Sequence, residues 1–180
     1  MRNGHSGIRC KGFNTLKKNH IVFLGIALTV LILDQVSKLI VIASLESHQT
    51  LPVIPGFFNI VVVKNKGMAF GVFSHISSTL FYYLLLSVTV IAVAAVIFFF
   101  FTLKKNQGWM ASGLSLILGG AMGNLADRIR LGYVIDFLDF VVKNYHWPAF
   151  NMADSAVTAG AFCIVIEMMM GKNPQERESK

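Results

Sequence analysis

Residues 77–101 read SSTLFYYLLLSVTVIAVAAVIFFFF, a stretch without a single charged side chain. As a helix rising about 1.5 Å per residue it would be about 37 Å long, enough to cross a hydrocarbon core about 30 Å thick. Working outward, three further apolar segments of similar length lie at 21–41, 109–129 and 152–170, each interrupted by a few polar residues. The fold class expected is therefore an all-α polytopic membrane protein with four transmembrane helices. Composition agrees. Of 180 residues, 54% are hydrophobic and only 14% charged, with a mean hydropathy of +0.62; a soluble domain carries about a quarter charged residues.

The net charge of +7 does not indicate a nucleic-acid partner, because the positions of the charges give it another meaning. Ten of the sixteen Lys and Arg lie at 2–18, at Lys104 and Lys105, and at 172–180, flanking the apolar segments. That distribution places both termini and the short 102–108 connection in the cytoplasm, with the longer connections facing outward. The chain divides into a basic N-terminal tail (1–20), a four-helix membrane domain (21–171) and a C-terminal tail (172–180). The first apolar run is too long for a signal-peptide core, is interrupted by Asp34 and Lys38, and has no small-residue cleavage site, so it reads as a retained helix. Cys10 and Cys163 lie too far apart in character to form a disulfide framework.

The first outer connection contains Pro52, Pro55 and Gly56, then a β-branched and aromatic run at 57–63 that reads as a strand. Asn65-Lys66-Gly67 supplies turn chemistry, and 68–73 reads as a return strand. In the second, Val134–Val142 is amphipathic and is followed by Tyr145, Trp147 and Pro148, so it is expected to lie along the outer surface.

Ionisable groups inside a membrane are costly and mark function by default. Asp34 and Lys38 are spaced i,i+4 and can pair. Asn124 shares a helix face with Asp127 and Arg128, while Asn151 and Asp154 open the last helix. From the helical rise, Asp34 lies about 20 Å and Asn124 about 22 Å above the cytoplasmic ends of their helices. Asp154 enters from the outer side, and Asp136 can join it. Simpler readings compete: a structural Asp34–Lys38 pair, a helix-end Asp127–Arg128 pair, a dipole-favoured first-turn acid at Asp154, and close packing through the small residues of 119–123. The five His lack metal-ligand spacing, Met168–Met170 reads as apolar filling, and no metal or cofactor is expected. Ser37 and Lys38 are adjacent and point to different faces, which makes a Ser/Lys dyad a weak alternative. A proton relay would spread ionisable groups through the membrane's depth, whereas the inner half of this bundle is nearly free of them. A pure assembly factor would leave the convergent carboxylates unexplained.

Two carboxyl groups held close cannot both ionise easily and share a proton. One then activates water while the other protonates a carbonyl, which is aspartic-protease chemistry.

Five short stretches carry a resemblance. They are Asp34-Gln35-Val36-Ser37-Lys38; Asn65-Lys66-Gly67-Met68-Ala69-Phe70-Gly71; Gly119-Gly120-Ala121-Met122-Gly123-Asn124-Leu125-Ala126-Asp127-Arg128; Val134-Ile135-Asp136-Phe137; and Phe150-Asn151-Met152-Ala153-Asp154. In this order, over about 20–171, the chain resembles the bacterial lipoprotein signal peptidases (signal peptidase II), which are intramembrane aspartyl proteases. The resemblance implies Asp136 and Asp154 as the catalytic pair. It implies Asn65, Gly67, Asn124, Asp127, Arg128 and Asn151 as residues that order the site and bind substrate, with Asp34 and Lys38 in support. It further implies a small extracytoplasmic β-cradle and a surface amphipathic helix, a location in the bacterial inner membrane with the site toward the outer face, and a monomer in contact with membrane lipids. The substrate implied is a diacylglyceryl-modified prolipoprotein, cut before its lipidated Cys. If Asn151 caps the last helix, Asp154 sits in its first turn, where the dipole favours the charged form; Asp154 is then expected to be the more acidic of the pair.

Overall fold

The computed structural model describes residues 11–46, 49–67, 79–103, 107–143 and 145–170, with the backbone alone over 11–20. The elements in chain order are α1 (Lys11–Ser44), β1 (Thr50–Ile54), β2 (Phe58–Asn65), α2 (Thr79–Thr102), α3 (Gly108–Leu131), β3 (Val134–Val142), β4 (Tyr145–His146) and α4 (Met152–Met170). The return strand expected at 68–73 and the Lys104–Lys105 turn lie outside the described residues.

The helices are inside out by the standards of a water-soluble protein. On α1 a single stripe is buried: Phe23, Ala27, Asp34, Lys38 and Val41. The opposite face exposes Leu24, Leu28, Ile32, Leu33, Val36 and Leu39. Charges inside and leucines outside are stable only where the surrounding medium is apolar. Among the described residues three helices are long and apolar enough to cross a membrane, Ile21–Ser44, Thr79–Thr102 and Met152–Met170. The third expected span is α3, whose glycines and the polar run Asn124, Asp127, Arg128 and Arg130 lower its hydropathy. It packs against all three other helices, so its polar side chains are spent on neighbours.

Two apolar clusters hold a polar layer between them. In the lower one, Phe23 and Ala27 of α1 meet Val96 and Phe100 of α2 and Leu114 and Leu118 of α3, with the Phe23 and Phe100 rings stacked 3.6 Å apart. In the upper one, Val41 and Leu45 meet Phe137, backed by Ile60, Val62 and Leu138. The small residues of 119–123 serve close helix packing, as expected. A methyl group added at Gly119 would stand 2.6 Å from the Ala27 carbonyl oxygen of α1, and Gly113 and Gly160 make the same close approach between α3 and α4.

The strands form an antiparallel sheet in the order β1-β2-β3-β4, in which β2 is the strand expected at 57–63 and β1, β3 and β4 are additional. Among the described residues no surface amphipathic helix is found, and Val134–Val142 is β3, an inner strand of that sheet. The physical reason is a β-bulge. The N–H groups of Phe137 and Leu138 both donate to the Phe150 carbonyl, at 2.9 and 2.8 Å, so two residues stand opposite one. Phe137 and Leu138 both turn into the upper apolar cluster. Asp136 and Asp139 consequently share the other face. A spacing of three between polar residues mimics a helical period, although the backbone is extended.

Candidate active site

Asp136 comes from β3 and Asp154 from the first turn of α4, and Asn151 ties them together. The Asn151 side-chain amide donates to Asp136 Oδ1 at 2.7 Å. Its Oδ1 accepts the Asp154 N–H at 2.9 Å, while its own N–H donates to Asp154 Oδ2 at 3.3 Å. This is a reciprocal capping box, so the expected cap is present and one residue fixes both carboxylates. The second oxygen of each is held by another asparagine. Asn65 donates to Asp136 Oδ2 at 2.8 Å and Asn124 to Asp154 Oδ1 at 2.8 Å. Asn65 Oδ1 also accepts the Gly67 N–H at 2.8 Å, and Arg128 donates to the Gly67 carbonyl at 3.1 Å, pinning the end of β2 beside the site.

Beneath the carboxylates lies a buried ionic layer. Lys38 Nζ is 2.8 Å from both Asp34 Oδ2 and Asp127 Oδ2 and donates to Asn124 Oδ1 at 3.1 Å. Asp127 thus pairs with α1 instead of forming a helix-end pair with Arg128. Its Oδ2 also accepts the Ile135 N–H at 3.2 Å, setting the strand position next to Asp136. Asp34 Oδ1 accepts the Ala153 N–H at 2.9 Å, a free donor at the start of α4. Asp34 and Asn151 have no exposed surface, and Lys38 and Asp136 are 1% exposed. Every buried polar side chain among the described residues has a partner. All the residues singled out in the sequence therefore meet in one network.

Gln35 was missed as a site residue. Its amide donates to Asp127 Oδ1 at 2.9 Å and to the Gly123 carbonyl at 3.2 Å, and its Oε1 accepts from Arg130 at 3.2 Å. It lies within the first quoted motif, next to Asp34, but its partners are on α3 and no local spacing points to them. Gly123 leaves room for Asp34: a methyl group there would stand 2.5 Å from Asp34 Oδ2. Gly123→Ala is expected to destabilise the fold by about 2 kcal/mol, as overpacking does, and to weaken activity by shifting Asp34 off Ala153. Thermal unfolding and turnover measured on the same purified sample check it; wild-type values for both would refute it.

Burial, and next the neighbouring Asp154 carboxylate, push Asp136 up to about 7, against the opposing hydrogen bonds from Asn65 and Asn151. Near neutral pH the pair thus includes a carboxyl that still carries its proton part of the time. The pair can supply a base for water and an acid for a carbonyl oxygen without a nucleophilic side chain.

Comparison with known proteins agrees with this chemistry. The description of the signal peptidase (SPase) II family matches residues 26–170. A lipoprotein signal peptidase of Geobacter metallireducens is 40% identical over 167 residues, 91% of this chain and 100% of that protein. One of Syntrophus aciditrophicus is 44% identical over 154 residues, 86% of this chain and 96% of that protein. A bacterial membrane enzyme solved in meso at 2.3 Å superposes with a TM-score of 0.75 at 33% identity, covering 86% of this chain and 93% of the other. A second, at 1.9 Å, gives 0.69 at 35% identity, covering 82% and 92%. The chain is a membrane protein and belongs to the signal peptidase II family of aspartic-type peptidases.

Proposed function

We propose that this protein is an intramembrane aspartic endopeptidase that removes the signal peptide from diacylglyceryl-modified prolipoproteins, cutting just before the lipidated Cys. The observation that carries the reading is the Asn151 bridge, which holds Asp136 and Asp154 in one hydrogen-bonded unit. In the reaction, Asp154 takes a proton from water as the water oxygen attacks the scissile carbonyl. Asp136 gives its proton to the carbonyl oxygen. The tetrahedral intermediate then collapses as Asp154 returns its proton to the departing amine and Asp136 recovers its own from the hydroxyl. The assignment of charge follows from surroundings. Asp154 lies in the first turn of α4 and accepts from the Asn124 amide that Lys38 polarises, whereas burial together with the Asp154 carboxylate pushes Asp136 up to about 7.

An apolar cleft of about 440 Å³ opens beside Asp154, between Trp147, Phe150, Thr158 and Phe162. It suits the apolar half of the substrate, the end of a signal-peptide helix or an acyl chain. The proposal includes four spans, with α3 as the fourth, shielded from lipid by α1, α2 and α4. It also places both termini in the cytoplasm, the sheet and the carboxylates at the outer face of the inner membrane, and a monomer as the working unit. A lipid-anchored substrate in the outer leaflet requires a site at that depth.

The test is incubation of purified protein with a diacylated prolipoprotein and mass analysis of the product. A product beginning with the lipidated Cys is expected; cleavage elsewhere, or none, refutes the reading. The pH dependence has a definite sign. An acid raised to about 7 keeps its proton below that pH and loses it above. The rate is therefore expected to fall as pH rises through 7, about tenfold per unit beyond it. A rate still climbing at pH 8 would place the proton elsewhere.

A further inference from the structure

The same face of the sheet that carries Asp136 holds a second polar cluster. Asp139, 5% exposed, accepts from Asn59 at 2.9 Å and lies 3.0 Å from His146 Nδ1 through both of its oxygens. The mechanism above does not use it. The bulge at Phe137 and Leu138 is what brings Asp139 round to the side of Asp136. They are three strand positions apart, about 10 Å at a rise of about 3.3 Å per residue. Asp139 and His146 line a cleft of about 390 Å³ together with Gln49, Thr50, Val63 and Trp147.

The chemistry of the cluster is directional. A carboxylate only accepts hydrogen bonds, so Nδ1 carries the proton that Asp139 accepts, and Nε2 is the ring's remaining polar atom. The His146 side chain is 63% exposed and lines the cleft, and Asp139 engages only its Nδ1. Asp139, gripped by Asn59, fixes the orientation of the ring. Trp147 borders both this cleft and the apolar one beside Asp154. The two clefts thus share Trp147 as a common wall, and the one beside Asp154 also carries Phe150 and Phe162.

We propose that this cleft is the subsite for the polypeptide on the C-terminal side of the scissile bond, with His146 Nε2 accepting a backbone N–H from the segment that follows the lipidated Cys. This rests on the endopeptidase reading above and adds a direction to it. The apolar part of the substrate lies along α4, and the water-soluble part leaves across the sheet. A chain running out from the carboxylates reaches His146 after about three residues. Asp139 is a positioning residue and His146 a contact residue.

Two synthetic diacylated substrates test it, one ending a single residue after the lipidated Cys and one continuing about six residues further. Wild-type enzyme is expected to favour the longer one in kcat/KM. His146→Ala is expected to reduce that preference about fivefold, the worth of one neutral hydrogen bond, through KM with kcat held. Asp139→Ala should reduce it in the same direction, because the ring loses the acceptor that holds it. A preference unchanged in both variants overturns the subsite while leaving the peptidase reading intact. An equal loss on both substrates makes the dyad merely structural and also overturns it. Failure of wild-type enzyme to cut either substrate removes the peptidase reading first, and the subsite with it.

Discussion

Asp136→Asn and Asp154→Asn are each expected to lower turnover by at least about 10³-fold, the upper range for a positioned acid or base. The amide keeps the side chain's shape but cannot exchange a proton, so water is not activated in one variant and the carbonyl oxygen is not protonated in the other. Both should also lose stability. Asp136 is almost fully buried and both its oxygens accept amide N–H donors, so an amide nitrogen there faces a donor and should cost about 1–3 kcal/mol. Asp154 closes the capping box with the Asn151 N–H, and its replacement should cost about 1 kcal/mol. Turnover and thermal unfolding in the same detergent settle both points. Residual activity above about a hundredth of wild type for either variant would remove that carboxylate from the chemistry.

Lys38→Met is expected to have the largest effect on the fold. One ammonium lies 2.8 Å from two carboxylates, with essentially no solvent access. Removing it leaves Asp34 and Asp127 buried and uncompensated, a loss of about 3–5 kcal/mol by analogy with broken buried pairs. For a chain of this length that is on the order of 10 °C in unfolding temperature. Activity should fall as well, because Lys38 polarises the Asn124 amide that holds Asp154. Asp34→Asn should cost less, since Lys38 retains Asp127. An unfolding temperature within a degree or two of wild type for Lys38→Met would show that the layer is not a stabilising unit.

Much of the helical framework was legible because its signals are local. Uncharged runs mark α2, and the Asn151–Asp154 spacing marks the start of α4, each within a few neighbouring residues. The polar residues of the site were legible too, since an ionisable group in an apolar segment stands out whatever it contacts. Their partners were not. Asp127 could pair equally well with Arg128 beside it or with a distant lysine, and only the approach of α1 to α3 across Gly119 and Gly123 decided for Lys38. Gln35 went unassigned for the same reason.

Val134–Val142 shows where local reading fails. Its polar residues recur at a spacing of three, the signature of a helix face, yet it is a strand with a bulge opposite Phe150. A bulge forms between two chains, and nothing within nine residues of one of them announces it. The sequence by itself determined that the chain crosses a membrane and which carboxylates were candidates for chemistry, because apolar length and the cost of buried charge belong to each segment alone. Only the tertiary structure decided that Asn151 joins Asp136 to Asp154, that Lys38 lies between Asp34 and Asp127, and that Asp139 shares a face with Asp136. Those are hydrogen bonds between elements far apart in the chain, and they exist only once the helices and the sheet have packed.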